Sequence, residues 1–481
     1  MEGEAEEGAM KAGNSLTDEP IWRAIVRLSV PIILANILQT AYGMTDTYWV
    51  GWLSKEAVAA VSQSFPLTFL LVAIGGGLPI AGTVLIAQYR GRGDNVAMNH
   101  VAAQTMLMVF IVSIVLSVGG YFLSWKIMEL MGVPPEVMKD AVSFLRMTFL
   151  GFLFVFAFMS FQALMRGLGV VYMPMLIVLL TVLLNFGLDP LFIWGWGPIP
   201  AMGVAGAAMA TLCTQALATL IAVVILLRGN YGLHVRWRDL RPDFALIRRV
   251  FWLGLPASIE QSTRALGMTV MTILVNSFGT IAIASYGIGM RVLTCVLIPA
   301  MGLSMATSTL VGHYIGADRF DRALRTNFIG CVIAAVTLFF AGAVMFEIAA
   351  PFSAFFVPNA GEAIDGSATF IRIIAFSFWL IGLQQVLTGT FRGAGDTVAP
   401  MLQAIVALWV LQFPLAYILS KNTSLGLQGI WWSFNLTNII ATVITLVWYW
   451  RGRWRRKRLL EEIELERQIR DETLIEEGSR F

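Results

Sequence analysis

Charge is what this sequence has least of: Asp, Glu, Lys and Arg together make up 13% of its 481 residues. A soluble domain carries about 25%. A water-facing surface on a chain this long would go unsolvated, so much of the 57% hydrophobic fraction must face lipid. Histidine is scarce as well, and His100, His234 and His313 are scattered without metal spacing. The three cysteines, Cys213, Cys295 and Cys331, sit in apolar stretches, and no two of them have metal-ligand spacing. They read as small hydrophobes and say nothing of the redox compartment. A GxxxxGK[ST] run is missing, which argues against ATP hydrolysis within this chain. Gly75-Gly-Gly-Leu-Pro lies inside an apolar segment and Gly167-Leu-Gly is too short, so neither marks a phosphate loop. No serine or cysteine motif suggests a nucleophile, and an enzyme is not expected. Basic patches interleaved with aromatics are lacking, so nucleic acid is set aside. The start, Met1-Glu-Gly-Glu-Ala-Glu-Glu, is acidic where a secretory signal wants positive charge. The first apolar segment is therefore expected to stay in the protein as a helix.

What is present is a series of long apolar runs. Crossing the hydrocarbon takes about 20 residues of helix. Twelve segments qualify, near 22–50, 56–89, 99–127, 136–166, 171–195, 203–228, 250–277, 281–314, 323–351, 361–391, 398–420 and 427–451. Lys and Arg concentrate in the even-numbered connections: Arg90 and Arg92, Arg166, the group Arg228 to Arg249, Arg319 to Arg325, and Arg392. The odd ones hold little beyond Lys55, Lys126, Lys139 and Lys421. Positive charge marks the cytoplasmic side, so both termini are expected inside a cell (plasma or inner) membrane.

The sequence also repeats itself. At a shift of 225, Leu28 falls on Leu253, Pro31 on Pro256, Gly77 on Gly302, Tyr89 on Tyr314 and Gly91 on Gly316. At 226, Phe144 meets Phe370, Arg146 meets Arg372, Arg166-Gly-Leu-Gly meets Arg392-Gly-Ala-Gly and Pro174 meets Pro400. Apolar composition scatters Leu and Val matches, but not Arg, Gly, Pro and Tyr at one offset. The expected fold is an all-α integral membrane protein with two parallel six-helix repeats. Its divisions are a cytoplasmic tail at 1–21, lobes at 22–228 and 250–451, a cytoplasmic linker at 229–249, and a cytoplasmic basic then acidic tail at 452–481, of which 459–481 read as a solvated helix or disorder without chemistry.

An ionisable group within a span costs about 2.5–3.5 kcal/mol at mid-bilayer and is a functional candidate by default. Asp46 lies near the far end of the first segment, Asn185 and Asp189 share a face near the far end of the fifth, and Thr211 is two or three turns into the sixth. Topology brings the four to one depth of the first lobe, where two carboxylates and two neutral oxygens suit a proton or sodium. The plainer alternatives are a wet helix-end Asp46 and Asp189 as a cap before Pro190. Pro31, fifteen residues before Asp46, is a candidate bending point of the first helix. The repeat equivalents of Asp46 and Asp189 are Met271 and Leu415, so function is expected to be asymmetric. Glu260 and Arg264 are four apart and suit a neutralising pair, or a place in a substrate cavity. Gln39, Gln63, Gln261, Asn276, Gln384 and Gln385 suit either a central polar cavity or bonds between helices. Arg291 has no obvious partner and is a further cavity candidate.

These residues resemble the multidrug and toxic compound extrusion (MATE) family over about 20–455. The resemblance is carried by Pro31, Thr45-Asp-Thr-Tyr-Trp-Val-Gly-Trp-Leu, Ala87-Gln-Tyr-Arg-Gly-Arg-Gly-Asp, Gln162-Ala-Leu-Met-Arg-Gly-Leu-Gly and Leu188-Asp-Pro followed by Gly203-Val-Ala-Gly. Gly302-Leu-Ser-Met-Ala-Thr-Ser and Phe391-Arg-Gly-Ala-Gly-Asp-Thr extend it into the second half. It implies two six-helix bundles in a V, alternating access, and export of amphipathic, often cationic compounds against H+ or Na+. In the DinF-like branch the cation site maps to Asp46, Asn185, Asp189 and Thr211, with Pro31 as that branch's first-helix proline. The NorM-like branch needs second-lobe acids in the seventh and tenth segments, and past Glu362 and Asp365 at its very start the tenth has none within its span. No cofactor beyond the coupling ion, no ATPase subunit and a monomer in membrane lipid are expected. A flippase for lipid-linked oligosaccharides shares the two-lobe plan and is the alternative, with Arg146, Arg264, Arg291 and Arg372 as its cationic candidates; a channel or membrane-embedded enzyme stands behind it.

Overall fold

In the computed structural model, residues 19–356, 361–456 and 459–463 are described. The first half forms α1 (Ile21–Gly51), α2 (Lys55–Arg92), α3 (Asn95–Leu130), α4 (Pro135–Gly167), α5 (Tyr172–Trp194) and α6 (Val204–Arg228). The second forms α7 (Phe244–Asn276), α8 (Thr280–Gly316), α9 (Phe320–Glu347), the short α10 (Ala349–Phe356), α11 (Gly361–Ala375), α12 (Phe378–Gly393), α13 (Val398–Ile405), α14 (Phe413–Lys421) and α15 (Leu427–Trp450). Helix starts are fixed by side chains that take up otherwise orphaned backbone donors. Ser54 accepts from the Ala57 N–H (3.0 Å), and Asp94 accepts from Ala97 (2.9 Å).

Among the described residues, ten helices are long and apolar enough to cross a membrane, and α11 with α12 forms an eleventh span bent by 51°. The one remaining predicted segment, 250–277, is α7, 33 residues long, whose middle carries Ser258, Glu260, Gln261, Ser262, Thr263 and Arg264. Two spans in the second half are irregular where the sequence predicts unbroken helix. Between α11 and α12 there is neither Pro nor Gly. The break is instead filled by amides from α15, Asn435 donating to the Ile373 carbonyl (2.6 Å) and Asn438 to Ser377 Oγ (3.1 Å). Backbone groups freed inside a membrane need such partners. The span from Val398 to Lys421 carries a π-helical turn at Val406–Gln412, just before Pro414, which has no N–H to continue the ladder.

The helices interlock more than two separate lobes would. The linker half of α1 places Ile25, Leu28 and Ile32 in one core with Leu303, Ala334 and Val386 of the second lobe. Reciprocally, Val250 and Leu253 of α7 sit in the first-lobe core. These are repeat mates, since Ile25 and Leu28 shifted by 225 are Val250 and Leu253. The first turns of each repeat thus pack in the opposite lobe.

The lobes meet along the linker-side halves of their helices. A Cβ on Gly77 would run into the Ser258 backbone, and one on Gly302 into the Ile33 side chain. Deeper toward the linker, Gln88 Nε2 donates to the Gly393 carbonyl (3.0 Å), and His313 Nε2 lies 2.7 Å from the Gly167 carbonyl. Each pair is the image of the other, because Gln88 plus 225 is His313 and Gly167 plus 226 is Gly393. At the far ends, Gly43, Gly51, Gly279 and Gly287 have nothing within 4 Å of where a side chain would begin. These contacts between the lobes lie on the linker side.

The linker is held on the end of α3. Gln104 Nε2 donates to the carbonyls of Asp239 (2.7 Å) and Arg241 (2.8 Å), and its Oε1 accepts from the Asp243 N–H (3.0 Å). Residues 459–463 of the C-terminal tail depart from the solvated segment expected. Leu459 and Leu460 are buried at the seam beside Gln88, Ile315 and Phe320, and Glu462 pairs with Arg249 at 3.2 Å. The two leucines give this stretch apolar surface to bury. Residues 1–18 and 464–481 of the expected tails lie outside the described residues.

Candidate functional site

The far end of the first lobe brings Asp46, Asn185, Asp189 and Thr211 together. Asp46 lies five residues before the end of α1, Asp189 five before the end of α5, and Thr211 seven after the start of α6. These three thus lie within about 8–11 Å of a helix end, at 1.5 Å per residue, and Asn185 is one turn deeper. The turn between α5 and α6 sets their register. Gly203 has φ +59°, and Met202 and Gly203 donate back to the Phe192 and Ile193 carbonyls (3.0 and 3.1 Å). A Cβ on Gly206 would lie 2.5 Å from the Phe192 carbonyl oxygen, so only glycine lets α6 start this close to α5.

Asn185 and Asp189 are both fully buried. Asn185 Nδ2 donates to Asp189 Oδ1 (3.1 Å), as the four-residue spacing predicts. Thr211 Oγ1 donates to Asp46 Oδ2 (3.0 Å), joining α6 to α1. Tyr42, one turn before Asp46, hydrogen-bonds Thr214 on the same two helices. Asp46 also faces Asn185 and Asp189. One oxygen of each group is left over: Asp46 Oδ1, Asn185 Oδ1 and Asp189 Oδ2 are buried without a hydrogen-bond partner. Leaving a buried polar atom unsatisfied costs about 1–3 kcal/mol, more for a charged one. Three leftover acceptors, two of them on carboxylates, face a shortage that a proton or an oxygen-seeking cation would relieve. Trp49 closes the outer side, packed on Phe186 and Trp194 with centroids 5.3 and 5.8 Å apart.

The other candidate residues fall elsewhere. Glu260 is 1% exposed, and it is held by more than the predicted partner. Arg264 contacts it at 3.2 Å, while Arg392 Nη2 lies 2.8 and 2.7 Å from its two oxygens. Arg392, expected as a cytoplasmic loop charge, lies at the end of α12 in the repeated Arg-Gly-x-Gly, which marks the residue but not its partner. Gln384 turns into the second lobe, donating to Thr442 Oγ1 (2.8 Å) and the Asn438 carbonyl (2.9 Å) and accepting from Gln403 (3.0 Å). Gln385 is half-buried, and its carbonyl accepts from Ser304 (2.5 Å). Gln39, Gln63 and Asn276 are exposed and Gln261 is half-buried. Arg146 and Arg372 cover the rings of Tyr121 and Phe346 at 5.3 and 5.9 Å, a clamp that the repeat duplicates. Arg291 is exposed on α8, 4.8 Å above the Phe356 ring. Pro31 is buried inside α1, which runs through it as one helix.

Comparison with known proteins agrees with this architecture. The MatE family model matches residues 31–191 and 256–418, two matches beginning at Pro31 and Pro256. The probable multidrug resistance protein YoeA of Bacillus subtilis (strain 168) is 28% identical over 453 residues, 92% of this chain and 96% of its own length. The probable multidrug resistance protein NorM of Thermotoga maritima is 26% identical over 441 residues, 92% of this chain and 94% of its own. A solved outward-facing conformation of a multidrug resistance MATE family transporter of the MOP superfamily superposes with a TM-score of 0.85 at 24% identity, covering 93% of this chain and 98% of that one. This chain belongs to the MatE family, the multidrug and toxic compound extrusion transporters.

Proposed function

We propose that this chain exports amphipathic, often cationic compounds in exchange for a proton or sodium ion bound among Asp46, Asn185, Asp189 and Thr211. The observation that carries the reading is the trio of buried, unpartnered oxygens Asp46 Oδ1, Asn185 Oδ1 and Asp189 Oδ2. Structural carboxylates in a membrane are paired; these are left wanting charge. An ion entering from the open side relieves the shortage and draws α1, α5 and α6 together. The outer half of α1 belongs to this site while its linker half lies in the second-lobe core, so a shift at Asp46 reaches the seal through one helix. Pro31 sits between the two halves, and α1 bends there during the cycle. Coupling belongs to the first lobe, as in the DinF-like branch, because Glu260 is already neutralised by Arg264 and Arg392. Positive charge on the linker side makes that side cytoplasmic, with the V open outward. The protein works as a monomer, without an ATPase subunit. Of the arginines that a flippase would need, Arg264 faces a carboxylate and Arg146 and Arg372 face aromatic rings.

Efflux of a cationic dye from energised cells tests this, with the parent beside Asp46→Asn, under a protonophore and with sodium withdrawn. The parent is expected to export dye, to stop under one of the two treatments, and to lose that export on substitution. Equal efflux from Asp46→Asn and the parent would exclude coupling at this site.

A further inference from the structure

Arg291 is not used by the cation site, and its surroundings give it a separate task. On the linker side, the groove between α8 and α9 is filled by α1: Ile33 covers Gly302, and Ile25 reaches to within 3.8 Å of where a side chain would begin on Gly330. Beyond Pro31, α1 leaves for the first lobe, where Tyr42 and Asp46 bond to α6. The groove continues outward without it. This stretch is a cavity of about 350 Å³ lined by Cys295, Pro299, Leu338, Ala341, Val344 and Met345, with Phe340 and Val296 completing it. Its volume falls at the lower end of the range of small-molecule sites, and its lining is apolar. Phe340 and Val344, 64% and 55% exposed, continue into the apolar outer face of α9 with Val336 and Phe339, so the groove opens onto lipid.

Arg291, Cys295 and Pro299 lie four residues apart on one face of α8. Arg291 therefore stands at the outer mouth of the groove, and its ring contact with Phe356, in the short helix after α9, places it at the same end. Among the described residues no carboxylate pairs with it. α8 is 37 residues long, about 55 Å at 1.5 Å per residue, against a hydrocarbon thickness of about 30 Å. With the helix centred, the Arg291 backbone lies about 10 Å from the midplane. Its long side chain then carries the guanidinium to the boundary between acyl chains and headgroups.

We propose that this groove is a binding site for an anionic phospholipid of the leaflet opposite the linker, with an acyl chain against Leu338, Ala341 and Val344 and the phosphate on Arg291. A single cationic side chain near a membrane surface is worth about 1 kcal/mol toward an anionic lipid, roughly five-fold in occupancy. The repeat mate of Arg291 at a shift of 225 is Pro66, so the first lobe offers no such guanidinium.

Native mass spectrometry of the purified full chain, delipidated and then offered phosphatidylglycerol and phosphatidylcholine of matched chains, tests the site. The parent should retain phosphatidylglycerol about five-fold over phosphatidylcholine. Arg291→Gln should abolish that preference, Ala341→Trp should lower retention of both lipids, and Arg372→Gln, at a clamp without a groove, should leave the preference intact. A preference that survives Arg291→Gln, or is lost equally with Arg372→Gln, overturns the proposal. Arg291 is exposed, so its substitution does not depend on tolerance of a bulky residue at Ala341.

Discussion

The two lobes are near-copies where they touch and strangers where the ion is expected to bind. At the seal, Gly77 meets Ser258 as Gly302 meets Ile33, and Gln88 reaches Gly393 as His313 reaches Gly167. At the far end, Asp46 and Asp189 stand opposite Met271 and Leu415. The second lobe joins its polar groups to one another instead, in the chain Gln403–Gln384–Thr442 and in Glu260 between two arginines, with Gln403 Oε1 and Arg392 Nε left over but no carboxylate oxygen among them. Closing a gate between two repeats constrains both surfaces at once, so a change on one side must fit the other. An ion site within one lobe has no such obligation, and its counterpart is free to become apolar.

The sharpest way to break this contrast is to separate transport from stability. Asp189→Asn should remove gradient-driven efflux altogether while its thermal midpoint stays at or above the parent's. The new amide can donate to an oxygen that now has no partner, and it removes one of two facing carboxylates. Met271→Leu, at the second-lobe position matching Asp46, should keep efflux. Loss of efflux in both, measured in proteoliposomes at equal protein, would mean that the second lobe shares the coupling.

Glu260→Gln should do the reverse. Removing one member of a buried ion pair typically costs about 3–5 kcal/mol, because the remaining charge is stranded. Arg392 and Arg264 would both lose their carboxylate. Melting should fall steeply in detergent, while the protein that remains folded still exports against a gradient. A melting curve like the parent's, together with lost efflux, would turn Glu260 into a coupling residue.

Much of this was legible in sequence, and the parts that were not share a reason. Spans show themselves by length and the repeat by its offsets. Asp46, Asn185, Asp189 and Thr211 stand out because polar groups in apolar helices are few. Contacts between distant elements leave no such trace. Nothing local to Arg392 points at Glu260, 132 residues away, and nothing in Ile25 or Val250 says that each packs in the other lobe. The break before Phe378 was hidden because its cause lies in Asn435 and Asn438 on another helix. One further sign was readable. Gly203 and Gly206 return as Gly426 and Gly429 at a shift of 223, which sets Phe434 against Thr211 and completes the apolar counterpart of the site.

A smaller effect is expected at Pro31, where α1 passes from one lobe to the other. Pro31→Ala restores a backbone donor and stiffens the helix. Turnover should slow by a few-fold, with ion dependence retained, since Asp46 and Thr211 are untouched. Stopped-flow efflux unchanged in rate would show that α1 moves as a rigid body.

The smallest effect should come from making the seal more alike. His313 and Gln88 occupy matching places and each bonds a glycine carbonyl across from it, so the imidazole at 313 does what an amide does at 88. His313→Gln should therefore melt within about 1 kcal/mol of the parent and transport normally, as conservative replacements of a hydrogen-bonding group do. His313→Ala should cost about 1–3 kcal/mol, because the buried Gly167 carbonyl loses its donor. It should also shift the protein toward the state open at the linker side, read as faster labelling of a cysteine placed at Gln88's neighbour Ala87. If Gln at 313 behaves like Ala, the two halves of the seal are not interchangeable, and the symmetry of the gate is one of backbone alone.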